Sequence, residues 1–232
     1  YTAGTPGTFT ADATYSHDGS ETTSDSFTFK ANDGTDDSNM STASISITPV
    51  NDAPVAIDVN GSGNEGGTIT TTITATDSDN IDPNTFTFGM SSDPTNITGS
   101  VSIGAASYDA LTKTFSAAAT YTHDDSQTIS DSFTYKAFDG TDSSVVATAT
   151  ISITAINDAP VSADVNGSGN EGGTITITLT ATDVDDDDSP LDFTFEIVSN
   201  PTNITGSVSI GTVSYTAGTP GTFTADATYS HD

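Results

Sequence analysis

The chain has 232 residues, 33% of them hydrophobic, and sets 3 Lys+Arg against 32 Asp+Glu for a net charge of −29. That balance excludes a nucleic-acid partner, which needs a basic surface, argues against anionic membrane surfaces, and invites cations. There is no Cys, so neither disulfides nor thiolate metal sites can form, and no apolar run approaches the roughly 18 residues of a membrane-spanning helix.

Internal repetition dominates the sequence. Residues 1–18 return letter for letter as residues 215–232, an offset of 214. A shorter period lies inside it: NDAPV begins at Asn51 and Asn157, and VNGSGNEGGTIT at Val59 and Val165, both offsets of 106. PTNITGSVSIG begins at Pro94 and Pro201, an offset of 107. Such periods mark a tandem array. The expected division is the back part of one repeat in 1–50, one complete repeat in 51–156, and the front part of the next in 157–232. The parent polypeptide is expected to continue at both ends; the alternative is that chains complete each other head to tail by strand addition.

In chain order, 1–50 is expected to hold the last three strands of a sandwich. Across 51–156 the apolar period is two, the strand signal. The inward positions read Val55, Ile57 and Val59; Ile69, Thr71, Ile73 and Ala75; Phe86 and Phe88; Ile97, Val101 and Ile103; Phe115, Ala117, Ala119 and Tyr121; Phe133, Tyr135 and Ala137; and Val145 through Ile153. Residues 157–232 should carry the first five strands of another unit. The fold expected is all-β: tandem immunoglobulin-like, seven-strand Greek-key β-sandwiches, without the Cys–Trp–Cys hallmark of antibody domains.

The acids recur at fixed repeat positions, mostly at strand ends. They lie at the inter-repeat junctions (Asn51-Asp52 and Asn157-Asp158), in the NEGG turns (Glu65 and Glu171), and in Asp-x-Asp pairs (Asp77/Asp79 and Asp183/Asp185). They lie also in His-Asp turns (Asp18, Asp124-Asp125 and Asp232) and in Asp-Gly-Thr-Asp turns (Asp33/Asp36 and Asp139/Asp142). Short carboxylates in turns suit hard-cation chelation. The competing reading is a set of solvated charges that keep the chain soluble.

NDAPV, ATDSD at 75–79, YKAFDG at 135–140 and THDDS at 122–126 occur in the order of cadherin sequence signatures. The whole chain resembles the bacterial cadherin-like tandem repeats of giant surface adhesins and extracellular fibres. That resemblance implies Ca²⁺ between successive sandwiches. At the first junction it implies Asp18, Glu21, Asn51, Asp52, Asp77, Asp79 and Asp139 as ligands. At the second it implies Glu65, Asp124 or Asp125, Asn157, Asp158, Asp183 and Asp185.

His17, His123 and His231 share one repeat position and read as structural turn residues, since no second His or Cys accompanies them. Lys136 alternates with inward Phe133, Tyr135 and Ala137, so it should point outward. Thr-x-Thr rows reflect ordinary strand composition. No catalytic constellation recurs, so an enzyme is not expected. The function expected is a structural, calcium-rigidified stalk or filament outside the cell, at its surface, whose partners are neighbouring repeats. The alternative is a module whose sandwich-end loops bind a carbohydrate or protein.

Overall fold

Thr alternates with Ile and Ala through residues 68–76, so the extended chain has one apolar edge and one hydroxyl edge. Segments of this kind, separated by Gly-, Asp- and Asn-rich turns, organise the molecule into sheets. The computed structural model describes residues 7–98, 100–185, 191–204 and 206–231. Near the N-terminus β1 (Ser24–Phe29) and β2 (Ser41–Ser46) form a hairpin.

Nine strands follow: β3 (Val55–Ile57), β4 (Val59–Asn64), β5 (Thr68–Thr76), β6 (Thr87–Ser92), β7 (Ser102–Ile103), β8 (Ser107–Asp109), β9 (Thr114–Thr122), β10 (Ser130–Phe138) and β11 (Ala147–Thr154). One sheet has the order β3-β5-β9-β7, with β8 also on β9; the other runs β4-β11-β10-β6. Their inner faces share one core, in which Ile73, Phe133, Tyr135 and Ile151 are fully buried. Phe86 stacks on Phe115 beside it, with ring centroids 3.8 Å apart.

The last sheet contains β12 (Val161–Ser162), β13 (Thr174–Asp183), β14 (Ser209–Ile210), β15 (Ser214–Thr216) and β16 (Gly221–Ser230). It repeats the β3-β5-β9 sheet in order. Even the ring stack returns, as Phe193 on Phe223 at 4.0 Å.

The architecture is all-β, with sandwich units in tandem, as the sequence led us to expect. Several details differ. The run Val55–Val59 is not one alternating strand. It changes sheets at Asp58, β3 pairing with β5 and β4 pairing in parallel with β11. The phase flips there: Ala56 packs on the core, while Val55 and Ile57 are exposed. Asp58 Oδ1 accepts Thr148 N–H at 2.7 Å, which holds the crossing in place. Val145 was expected to face inward and is 77% exposed, because β11 begins two residues later. β8, centred on Tyr108, was not anticipated.

The partial units show why strands need neighbours. Residues 9–18 match much of β9 in sequence yet carry no strand, so 7–50 has two strands rather than three. Likewise 193–197 (FTFEI), expected as a strand like β6, is not one, whereas β6 itself is paired along its length with β10.

Candidate metal centre at the inter-repeat junctions

Each junction is built from an Asp-x-Asp turn that follows a long strand and from the Asn-Asp pair that precedes the next unit. At the first junction, Asp77 Oδ1 accepts two backbone donors, Asp79 N and Asn80 N, both at 2.9 Å. This Asx turn aims Asp79 at the linker, where its Oδ2 accepts Asp52 N–H. Glu21, Asp52 and Asp79 converge, with one carboxylate oxygen from each within 4.8 Å of the others. The Asp79 carboxylate beside Glu21 holds the glutamic acid's pKa above its ordinary value, with burial and the Asp52 charge adding to the effect.

Asn51 occupies the neighbouring corner. Its side-chain amide donates to Asp139 Oδ2 at 3.0 Å and to Asp142 Oδ2 at 3.1 Å. Asp139 is buried, and burial alone would raise its pKa. The N–H groups of Asp142 and Thr141, with the Asn51 amide, outweigh that and bring it below the usual carboxylate range. Asp77 Oδ2 is buried with no hydrogen-bond partner among the described residues. An ionised oxygen in that position is costly unless something positive reaches it.

The second junction repeats the Asp-x-Asp and Asn-Asp turns. Asp158 N donates to Asp185 Oδ2 at 2.7 Å, and Asp185 N to Asp183 Oδ1 at 3.2 Å. Asp183 and Asp185 are both buried. Gln127 stands at the repeat position of Glu21. Its amide donates to Glu65 Oε1 at 2.6 Å and reaches Asp158 Oδ2 at 3.3 Å. Glu65 is buried, and its Oε2 accepts Ile156 N–H at 3.0 Å. Asn157 turns its amide onto the Asp158 carbonyl, at 2.7 Å.

Residues 51–154 and 157–231 each match the model of the bacterial Ig domain. The chain belongs to the bacterial Ig domain family. No curated protein sequence matches it. Among solved structures it is similar to the Yersinia pseudotuberculosis adhesin InvE, at 16% identity over 75% of this chain and 50% of that one, with a TM-score of 0.31. It is similar also to Protocadherin Gamma B2 extracellular cadherin domains 1-5, at 15% identity over 83% of this chain and 35% of that one, with a TM-score of 0.40. The chain thus spans half the length of the first structure and about a third of the second.

Within these Ig units the expected ligands fall into two groups. Asn51, Asp52, Asp77, Asp79 and Asp139 are drawn into one bonded network at the first junction, and Glu65, Asp158, Asp183 and Asp185 into another at the second. The His-Asp turns bond locally instead. Asp18 accepts Ser20 N–H and Oγ–H, at 3.0 and 2.7 Å, and the Ser20 hydroxyl is the main reason its pKa is lowered. Asp124 accepts Ser126 N–H at 3.2 Å, and Asp125 sits at φ 67° against Gly66. The third such turn ends at Asp232, outside the described residues.

His123 is buried, accepts Gly66 N–H at 3.2 Å and pairs with Thr128 Oγ1 at 3.0 Å, the structural role expected of it. Lys136 is exposed, as the alternation required. Sequence reasoning passed over Gln127, although its repeat position matches Glu21, and did not join Asp142 to the linker. The Ig fold is a structural, non-catalytic one, in keeping with the expectation that this chain is not an enzyme.

Proposed function

We propose that the chain belongs to a structural tandem array, the stalk of an adhesin or a surface filament outside the cell, whose Ig units are stiffened by Ca²⁺ at their junctions. The units run 51–156, with 1–50 and 157–232 as parts of neighbouring repeats. The nine strand segments of 51–156 read as seven Greek-key strands, the first broken into β3 and β4 and the fourth into β7 and β8. In an array of this kind, stiffness is set by each unit and its interface with the next.

The observation that carries the reading is the convergence of Glu21, Asp52 and Asp79, together with the buried Asp77 oxygen that has no hydrogen-bond partner among the described residues. Mutually repelling carboxylates with an orphaned oxygen fit a hard divalent cation, which takes six to eight oxygen ligands in flexible geometry. The first-junction set would be Glu21, Asp52, Asp77 and Asp79, with Asn51 and Asp139 as supporting groups. At the second junction Glu65, Asp158, Asp183 and Asp185 would serve. The ion would neutralise the charge of each junction and hold adjacent units at a fixed angle.

Small-angle scattering and thermal melting in calcium and in EDTA test this. The expected result is a longer maximum dimension and a higher Tm in calcium. An identical envelope and melt in both solutions overturns the reading.

A further inference from the structure

The chain carries a net charge of −29, yet one broad face of its complete unit is almost free of charge. That face is the outer side of the sheet that holds β3, β5, β9, β7 and β8. Its side chains alternate with those of the core. They are Val55 and Ile57 on β3, every second Thr along β5, and the alternate Thr, Ser and Ala of β9, with Ala118 at the middle. Among the outward side chains of these strands the one acid is Asp109, on β8 at the rim, and there is no base.

Two features lower the cost of covering this face. Its hydroxyls already meet across the strands, Thr68 with Thr122 at 3.2 Å and Ser107 with Ser116 at 3.1 Å. Fewer polar groups would then be stranded when water leaves. Along one margin Val55 is 56% and Ile57 42% exposed, so apolar surface adjoins the Thr rows.

The repeat supplies a comparison. The sheet around β13 and β16 has the same Thr rows, but Asp226 stands at the position of Ala118 and Ala163 at that of Ile57. Thr178 Oγ1 donates to Asp226 Oδ1 at 2.8 Å across the two strands. A carboxylate at the centre of a face would lose its water in any contact there, whereas one at the rim keeps it. The two kinds of unit therefore differ in whether this face can be covered.

We propose that the outer β5–β9 face of the 51–156 unit pairs side by side with the same face of a second copy of this chain, across a two-fold axis. Chains of like charge repel, and they approach each other most cheaply where charge is missing. Nine-residue strands give the face a length of about 30 Å, and the four strand positions from β3 to β7 a width of about 15 Å, so each side offers about 450 Å². A standard interface takes about 800 Å² from each partner, so a single contact is weak and reversible. An array that presents the face repeatedly multiplies it. A two-fold contact uses the same patch on both copies and closes at a dimer. The proposal goes beyond the array reading and does not rest on calcium.

Sedimentation velocity of the 232-residue chain in EDTA, over rising concentration and at low and high NaCl, is the test. The weight-average mass should climb from 23.5 kDa toward twice that value and stop there. High salt should strengthen the association, because it screens the repulsion between the chains. Dimers in EDTA support the pairing whatever becomes of the calcium reading. Ala118→Asp should hold the chain monomeric. Asp226 shows that this strand position accepts the carboxylate, and a thermal melt reports that the variant is folded. Thr150→Asp adds the same charge on the outer face of the other sheet and should dimerise like the parent. Asp226→Ala should open the second face and carry the mass beyond a dimer. A parent chain that stays monomeric at every concentration overturns the proposal. So do dimers that persist in Ala118→Asp, a loss of dimer in Thr150→Asp, an Asp226→Ala chain that stops at a dimer, or association that weakens as NaCl rises.

Discussion

The side-chain amide of Gln127 donates to the buried carboxylate of Glu65 at 2.6 Å. These residues stand 62 apart in the chain and meet at the end of the sandwich that faces the next unit. The corresponding position at the first junction is Glu21, a carboxyl group set against those of Asp52 and Asp79 and hydrogen-bonded to Asp79. The two junctions therefore share the Asp-x-Asp and Asn-Asp turns and differ at this position by one charge.

Gln127→Glu should make the second junction resemble the first. Without metal, a carboxylate replaces the donor on Glu65, and a hydrogen bond to a charged group is worth about 1.5–3 kcal/mol. Denaturant unfolding in EDTA should show a loss of that order. Calorimetric titration should show tighter calcium binding than in the parent chain. Equal stability in EDTA would count against the bond's contribution.

Asp77→Asn separates structure from ligation. Its Oδ1 would still accept from Asp79 N and Asn80 N, so the turn is kept. The buried Oδ2, now without a partner, becomes an amide nitrogen. Melting in EDTA should be unchanged or raised, because an unpaired buried charge is gone. The calcium-induced rise in Tm should shrink, and a rise of parental size would remove Asp77 from the ligand set.

Acidification without metal should act in two stages. Glu21 has its pKa raised above 4.5 by Asp79, so the folded state binds its proton more tightly than the unfolded chain does. Stability should therefore rise as pH falls through that folded value and level off below 4.5. Asp139 and Asp131 behave oppositely. Both are buried enough to raise their pKa values, yet both are brought below 3.8 by backbone N–H donors. The stability they contribute is present above 3.8 and is lost as pH falls through their lowered values. Melts in EDTA from neutral to strongly acidic pH, repeated for Glu21→Gln, should show the first stage vanish and the second remain.

Two core substitutions probe the sandwich itself. The phenol of Tyr135 donates to the Ile57 carbonyl across the sheets and also lies 3.3 Å from the Thr74 carbonyl. Tyr135→Phe leaves these acceptors short of a donor and should cost about 1–3 kcal/mol in urea unfolding. A Cβ at Gly61 would meet Ile151 Cδ1 at 2.9 Å and Thr71 Cβ at 3.0 Å. Gly61→Ala should therefore destabilise by about 1–3 kcal/mol through overpacking, measured in the same way. A neutral result would mean that β4 can lift from β5 without loss.

Much of the fold was legible because a period-two apolar pattern admits one buried face. Ile69, Ile73, Phe115, Phe133 and Ile151 are buried as the alternation requires. The pattern misled where the chain changed sheets. Val55 and Ile57 satisfy the alternation, but the crossing at Asp58 reverses the phase, and the hydrogen bonds that hold it come from Tyr135 and Thr148. Of the site, the Asp-x-Asp and Asn-Asp pairs were legible from their repetition. Gln127 was not, because a neutral amide gives no charge signal.

The repeat, its period, the all-β class and the placing of acids in turns can all be read from the residues in order, because each is a local pattern or a literal recurrence. The tertiary structure alone decided which strands exist and which acids meet. A strand needs a neighbour for its backbone: FTFGM contributes to β6, which pairs with β10, while FTFEI, with no ladder partner among the described residues, carries no strand. A carboxylate cluster likewise needs convergence across distant turns, and that joins Glu21 to Asp52 and Asp79 while leaving Asp18 bonded within its own loop.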